Sequence, residues 1–283
     1  MDLSSREQSL QQFLDWARSR ADILAVALLG SSARSDHPAD EWSDLDLLII
    51  ATDPPALFVK TGWVEVLGKP WITLVEKGPD GAPLELRVLL ENGQDVDFII
   101  LPLESARQNF MGTFVAEVAQ RGRRVLLDRE GTLTAWAEQP LLAAVAQPPT
   151  PLEFSAVVND FWFHAIWTAK KLKRSELWVV KSCCDGYMKQ LLLSMMEWHA
   201  RATQAGKIDT WYNGRYLVEW LPPEVRHDLL HVFAHYDEED VWRALTASLD
   251  LFDRLARETA GRLSYPYEQE QAGRVKAWIA EHR

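Results

Sequence analysis

Cysteine is nearly absent from this 283-residue chain; two occur, side by side, at Cys183 and Cys184. Adjacent cysteines in an apolar helical pattern make a poor structural disulfide, so they read as buried free thiols of a reducing compartment. No Cys/His set stands at zinc-binding spacing. No apolar stretch reaches the roughly 20 residues that a membrane span needs. A signal peptide is missing as well: Ser4-Ser5-Arg6-Glu7 is a capping-box pattern, followed by Leu10, Phe13, Leu14 and Ala17 at helical spacing. A soluble, cytoplasmic protein is expected. Positive charge is scarce, with 30 Lys and Arg against 41 Asp and Glu and a formal net charge of -11. That balance argues against a nucleic-acid primer, which is gripped by Lys and Arg clusters, and suits a cationic small molecule instead. Internal repeats and low-complexity segments are lacking too.

What is present is ordinary globular material, 47% hydrophobic and 25% charged, in a chain long enough for two domains. Residues 23–29 read as a buried strand ending at Gly30-Ser31-Ser32. A polar loop follows, and Ser43-Asp44-Leu45-Asp46 then opens a second apolar run through Ile50. Side chains two apart on a strand share a face, so Asp44 and Asp46 both project opposite Leu45. Two such carboxylates repel unless a cation sits between them, and hard oxygen ligands suit Mg²⁺. A two-metal displacement calls for a third carboxylate from a neighbouring strand. Asp97 supplies it, in the acid-then-apolar run Gln94 to Leu101 after the Asn92-Gly93 turn. Gly30 lets backbone approach a ligand closely, and the amides and hydroxyls of Ser31 and Ser32 suit phosphate oxygens. A triphosphate cradle beside a carboxylate metal site points to nucleotidyl transfer.

Coarse periodicity places strands at 23–29, 45–51, 71–76, 84–90, 95–101 and 124–127. The helical pieces fall at the N-terminus, near 55–67, over 103–120 and after 127. The turn Gly78-Pro79-Asp80-Gly81-Ala82-Pro83 separates two of the strands. Gln147-Pro148-Pro149-Thr150-Pro151 is the strongest linker, because its prolines stop both helix and sheet. Beyond it strands vanish, and helices are expected over 152–172, 175–203, 223–235, 238–262 and 266–282. Tryptophan is abundant, at 13 residues. Trp162, Trp167, Trp178 and Trp198 fall in apolar helical patterns and are expected to pack, with Trp162 also a candidate for a cleft wall. His227, His231 and His235 recur every four residues and read as a partly exposed helix face.

The constellation Gly30-Ser31, Asp44-x-Asp46 and Asp97 resembles the nucleotidyltransferase superfamily that includes DNA polymerase β. More narrowly, the chain is similar over most of its length to the aminoglycoside 6-adenylyltransferases, the streptomycin-modifying enzymes. The likeness rests on Gly30 to Asp46 with Pro38, Asp40 and Trp42, and on Asp97 in its strand ending at Leu101-Pro102. It continues in Asn159-Asp160-Phe161-Trp162 running on to Arg174, Glu176 and Trp198, and in Asn213-Gly214-Arg215-Tyr216-Leu217. Two positions depart from the family pattern. Ser32 stands where an arginine usually follows the Gly-Ser, with Arg34 two residues on, and Asp95 is acidic where a non-acidic residue is expected.

The resemblance implies an α+β protein with an N-terminal nucleotidyltransferase domain, residues 1–147, whose mixed sheet is flanked by helices. An all-helical bundle, residues 148–283, would bind the acceptor. It implies AMP transfer from ATP, with two Mg²⁺, to a hydroxyl of an aminoglycoside. The 6-hydroxyl of streptomycin comes first, pyrophosphate leaves and the antibiotic is inactivated. Asp44, Asp46 and Asp97 would be catalytic and would hold the metal. Gly30, Ser31, Ser32, Arg34, Ser43 and Lys189 would bind the nucleotide, and Asp95, Asp160, Trp162, Glu176 and Asp185 the acceptor, expected between the two domains. Asp97 or Asp95 is a candidate base. Asp185, four residues before Lys189, forms a pair similar to one in the kanamycin nucleotidyltransferases, or else a plain helix salt bridge. The expected partners are ATP and a cationic small molecule, without nucleic acid or membrane, in a monomer or homodimer. Transfer to another small alcohol or a protein, and a catalytically dead regulatory module, remain open as alternatives.

Overall fold

The computed structural model describes residues 3–78, 81–110, 114–141, 147–204, 207–210 and 212–283, with side chains from Arg6 onward. The Pro79-Asp80 part of the expected turn lies outside the described residues, as do residues 111–113 of the expected 103–120 helix. The chain divides into two compact units, Met1–Ala144 and Val145–Arg283. The fold class is the α+β class expected, and among the described residues strands are confined to the first unit.

The first unit is a six-stranded mixed sheet in the order β3-β4-β5-β2-β1-β6. Its strands are β1 (Ile23–Leu28), β2 (Leu45–Ala51), β3 (Pro70–Lys77), β4 (Pro83–Leu90), β5 (Asp95–Pro102) and β6 (Arg124–Asp128). Among the described residues only the β2–β5 pairing is parallel, in the register Asp46↔Asp97, and the other pairs are antiparallel. The central strand β2 reads as an unbroken apolar run because both its faces are buried. Leu45, Leu47 and Ile49 join Phe13, Trp63 and Phe98 under helix α1 (Leu3–Ser19). Leu48 and Ile50 join Phe110, Leu133 and Trp136 on the other side. That second face carries the small helices α3 (Leu103–Arg107), α4 (Phe114–Ala119) and α5 (Thr132–Ala137). The short α2 (Pro54–Val59) and a 3₁₀ segment, Thr61–Leu67, follow β2.

The single helix expected over 103–120 is not formed. Asn109 and Phe110 adopt left-handed backbone (φ 52° and 56°), and the Phe110 amide donates back to Ser105 O at 2.8 Å, which terminates α3. Burial of Phe110 edge-on to Trp136, with ring centroids 4.9 Å apart, favours that stop over helix continuation.

The second unit is helical: α6 (Pro151–Leu172), α7 (Leu177–Lys181), α8 (Met188–Thr203), α9 (Leu217–Trp220), α10 (Pro223–Leu229), α11 (Glu238–Leu263) and α12 (Gln269–Glu281). Thr150 and Glu153 form a reciprocal capping box over Pro151, so the linker chemistry also starts α6. The core gathers on α6, α8 and α11, where Phe161 and Phe252 stack with centroids 3.7 Å apart. Cys183 and Cys184 are buried and free, as expected.

Three helix expectations are corrected. The run 175–203 contains a π-helical segment, Ser182–Tyr187, whose widened turn leaves the Cys184 carbonyl to the Lys189 ammonium. The helix expected to 235 ends at Leu229. Beyond it Arg243 takes the carbonyls of His231 and Phe233 at 2.7 and 2.9 Å, so His231 and His235 are not on a helix. Trp178, expected to pack, is 74% exposed.

Candidate functional site

The carboxylates come together at one end of the sheet. Parallel pairing of β2 and β5 sets Asp46 beside Asp97, and Asp44 precedes β2 by one residue. One carboxylate oxygen from each of Asp44, Asp46 and Asp97 lies within 4.8 Å of those of the other two. Asp97 is buried, and desolvation pushes its carboxyl up to about 6, with Arg87 opposing and Glu85, Asp44 and Asp95 reinforcing the rise. An all-oxygen acidic set of this kind fits a hard divalent cation such as Mg²⁺.

Gly30 closes the site from β1. Its φ is +57°, and a Cβ there would stand 1.8 Å from Asp46 Oδ2, so the residue must lack a side chain for both reasons. It opens a 3₁₀ turn, Gly30–Ala33. The Ser31 hydroxyl is buried and makes no hydrogen bond among the described residues, which leaves a donor in the turn without a partner there. The loop is closed by Ala39 N to Ser31 O at 3.0 Å. Ser43 is engaged locally. It accepts from Asp40 N at 3.0 Å and donates to Asp40 Oδ1 at 2.9 Å, which shapes the approach to Asp44. Arg34 forks onto Asp36, at 2.9 and 2.6 Å, and holds that carboxyl well below the usual range.

Four residues of this region were missed by the sequence reading. Arg6 reaches from α1 to the Ser32 hydroxyl at 2.5 Å and to the Asp44 carbonyl. Gly122 packs so closely on the 3₁₀ turn that a Cβ would lie 2.4 Å from Ala33 O. Arg87 stands directly opposite Asp97 on β4, with Nε 3.8 Å from Asp97 Oδ2 and 3.2 Å from Glu76 Oε1. Glu85 bonds Arg87 at 3.3 Å, and burial pushes its carboxyl upward. Arg87 was findable, because the Asn92-Gly93 turn fixes which β4 residue faces Asp97; Arg6 was not.

The acceptor candidates scatter. Asp95 is exposed at the start of β5. Glu176 is tied to Lys171 and Arg174, at 2.7 and 2.5 Å, which lowers its carboxyl. The expected Asp185–Lys189 pairing is corrected: the π segment separates the two, and Asp185 pairs with Lys181 and the Ala234 amide instead. Lys189 is 8% exposed and donates to Cys184 O at 2.7 Å and Ser248 Oγ at 3.0 Å, so its ammonium faces the helical core rather than a nucleotide. Asp160 and Trp162 do share a cleft, of about 660 Å³, with Asn159, Phe163, Trp167 and Lys170. Trp162 packs edge-on to Phe252, while Asp160 receives hydrogen bonds from Tyr187 at 2.5 Å and pairs with His164 at 2.7 Å.

The streptomycin adenylyltransferase family model matches residues 3–282. The chain belongs to that family. Family membership makes it a nucleotidyltransferase, and the carboxylate cluster lies within the matched span. Among curated relatives it is 22% identical to the aminoglycoside 6-adenylyltransferase of Bacillus subtilis (strain 168) over 280 residues, 97% of this chain and 96% of that one. It is also 22% identical to the aminoglycoside 6-adenylyltransferase of Campylobacter jejuni over 275 residues, 94% and 91% of the two chains. The crystal structure of an aminoglycoside 6-adenyltransferase from Bacillus subtilis aligns with a TM-score of 0.46 and 20% identity, covering 98% of each chain. Among the described residues, no helix is long and apolar enough to cross a membrane.

Proposed function

We propose that this family member transfers AMP from ATP to a hydroxyl of an aminoglycoside, with the 6-hydroxyl of streptomycin as the first candidate, releasing pyrophosphate. The observation that carries the reading is the convergence of Asp44, Asp46 and Asp97 next to the Gly30 turn and its unpartnered Ser31 hydroxyl. The relatives named for aminoglycoside adenylylation support the choice of acceptor.

Asp44, Asp46 and Asp97 would hold Mg²⁺, which when bound supplies charge neutralisation on the phosphates and acidifies the attacking hydroxyl. The chain's own groups orient the reactants. Gly30 lets the turn close on the Asp46 carboxylate, Ser31 would offer a hydroxyl and amide to the triphosphate, and Ser32 follows in the same turn. The acceptor oxygen bonds to the α-phosphorus while the α–β bridging bond breaks, and pyrophosphate carries away the electron pair. The acceptor's proton would go to Asp97 or Asp95 where the second metal position is weakly filled, since a carboxylate holding a cation is a poor base. In the helical unit the cleft at Asp160 suits a cationic aminocyclitol, because a carboxylate fixed by Tyr187 and His164 sits among Trp162, Phe163 and Trp167.

Labelled ATP tested against streptomycin, kanamycin and a lincosamide settles the acceptor: label is expected on streptomycin, and none there defeats that choice. Asp44→Asn and Asp46→Asn should each lower turnover by about 10³-fold or more. If Mg²⁺-dependent pyrophosphate release were unchanged in both, the assigned site would be wrong.

A further inference from the structure

Arg6 lies on the first turns of α1, is 9% exposed, and is a residue that the nucleotidyl-transfer reading does not use. One amino group of its guanidinium donates to Ser32 Oγ at 2.5 Å and to the Asp44 carbonyl, and the other donates to Asp40 O at 3.4 Å. These acceptors belong to the two ends of the loop between β1 and β2. Ser32 sits in the 3₁₀ turn that starts at Gly30, while Asp40 and Asp44 form the approach to β2. A guanidinium is a planar fork with fixed donor spacing, so it sets a distance rather than merely supplying charge. The anchorage behind it is rigid, because α1 packs Phe13 and Leu14 into the sheet core.

The choice of acceptors matters as much as the count. Burial works against the Arg6 charge, and the nearby carboxylates of Asp44, Asp46 and Asp40 support it. The hydrogen bonds described above nevertheless go to a hydroxyl and to backbone carbonyls. Asp44 is thus held through its carbonyl while its carboxylate stays turned toward Asp46 and Asp97. An arginine bonded to those carboxylates would compete with a metal ion; this one holds the Asp44 backbone instead.

We propose that Arg6 is a positioning residue that acts through the Ser32 hydroxyl and the Asp44 carbonyl to hold the phosphate-binding turn at a fixed spacing from the first carboxylate of the metal cluster. The proposal rests on the nucleotidyltransferase reading of that cluster but not on the identity of the acceptor. It is tested on the full chain by calorimetric binding of a non-hydrolysable ATP analogue with Mg²⁺, beside the kinetics of transfer. Arg6→Met should weaken analogue binding about tenfold, the loss of a charge-assisted fork, and raise the Mg²⁺ concentration for half-activation, with KM for the acceptor unchanged. Arg6→Lys, which restores charge without the fork, should stay within about twofold of Arg6→Met. Ser32→Ala should shift binding in the same direction, and adding it to Arg6→Met should cost little more, since the two act as one unit.

Unchanged analogue binding in Arg6→Met overturns the proposal, as does full rescue by lysine or a full additional loss in the double variant. A parallel rise in both KM values together with a lowered Tm would show general loosening and overturn it too. If Arg6→Met does not fold, Ser32→Ala decides alone, and unaltered binding there is the refuting result. Should the wild type transfer AMP to no acceptor, the proposed function fails while the calorimetric comparison still judges Arg6.

Discussion

Both units set acids against cations, as at Arg34–Asp36 in the sheet unit, but the sheet unit also gathers three carboxylates at one point. In the helical unit, carboxylates are placed against cations. Asp253 takes Lys276 at 2.7 Å and the Tyr267 hydroxyl at 2.8 Å, Asp240 takes Arg243 at 2.6 Å, and Asp228 takes Arg254. In the sheet unit, β2 and β5 bring Asp46 and Asp97 side by side with Asp44 at the same edge, and burial, with a smaller push from Glu85, Asp44 and Asp95, raises the Asp97 carboxyl. The first pattern is close to neutral for stability, since partly exposed ion pairs are worth about 0 to 1 kcal/mol. The second costs stability and is retained where a function needs concentrated negative charge.

The sharpest way to break this contrast is to truncate one side chain in each unit and compare the signs. Phe252→Ala removes a ring that is fully buried and stacked on Phe161. A loss of about 3 to 5 kcal/mol is expected, close to the whole stability of many domains. Denaturant titration of the full chain reads it. A loss below about 1 kcal/mol, the level typical of surface changes, would show that the α6–α11 contact is not the packing centre it looks to be.

A smaller effect is expected at Gly30. Alanine there would place Cβ 1.8 Å from Asp46 Oδ2 and force an L-residue into positive φ. The backbone term alone is worth about 1 to 2 kcal/mol. The larger consequence is geometric, since Asp46 must move off the cluster. Transfer activity should drop by about 10²-fold, because angstrom-scale misplacement has that effect, while Mg²⁺ affinity falls. Normal Mg²⁺ binding in Gly30→Ala would mean that the turn and the carboxylates are independent.

Much of this was legible from residues 30–50 and 94–101, because strand alternation alone predicts which acids share a face and the apolar runs fix the strands. The helical character of the second half was legible from the proline linker and the loss of strand patterns. What escaped was set by tertiary contacts. Phe110 ends a helix in order to bury its ring, and Arg243 collects carbonyls that would otherwise have continued α10. Lys189 turned inward because a π segment left Cys184 O to be capped, which no four-residue spacing reveals. Arg6 was read as part of a helix cap, and its partners lie 26 and 38 residues away.

The subtlest test is of the cost carried by the acid cluster. Asp97 has a carboxyl raised from 3.8 to about 6 in the folded protein, mainly by desolvation. Between those two values the folded state holds more protons than the unfolded one, so stability falls as pH rises through the window, and the penalty is complete above it. Asn has no such titration. Asp97→Asn should therefore be inactive yet more stable than the wild type at pH 7.5 without metal, by about 1 to 2 kcal/mol once solvent relaxation is allowed for. The gain should shrink toward zero below pH 4. Arg87 keeps Glu76 and Glu85 as partners in the variant, so it is not orphaned by the change. Adding Mg²⁺ should close the gap from the other side, because binding stabilises only the protein that retains the full carboxylate set. Thermal scans at several pH values, with and without Mg²⁺, check both halves. An Asp97→Asn protein less stable than wild type at pH 7.5, or a difference that ignores pH, would show that burying the Asp97 carboxylate carries no cost and that the contrast drawn for the acid cluster is only one of appearance.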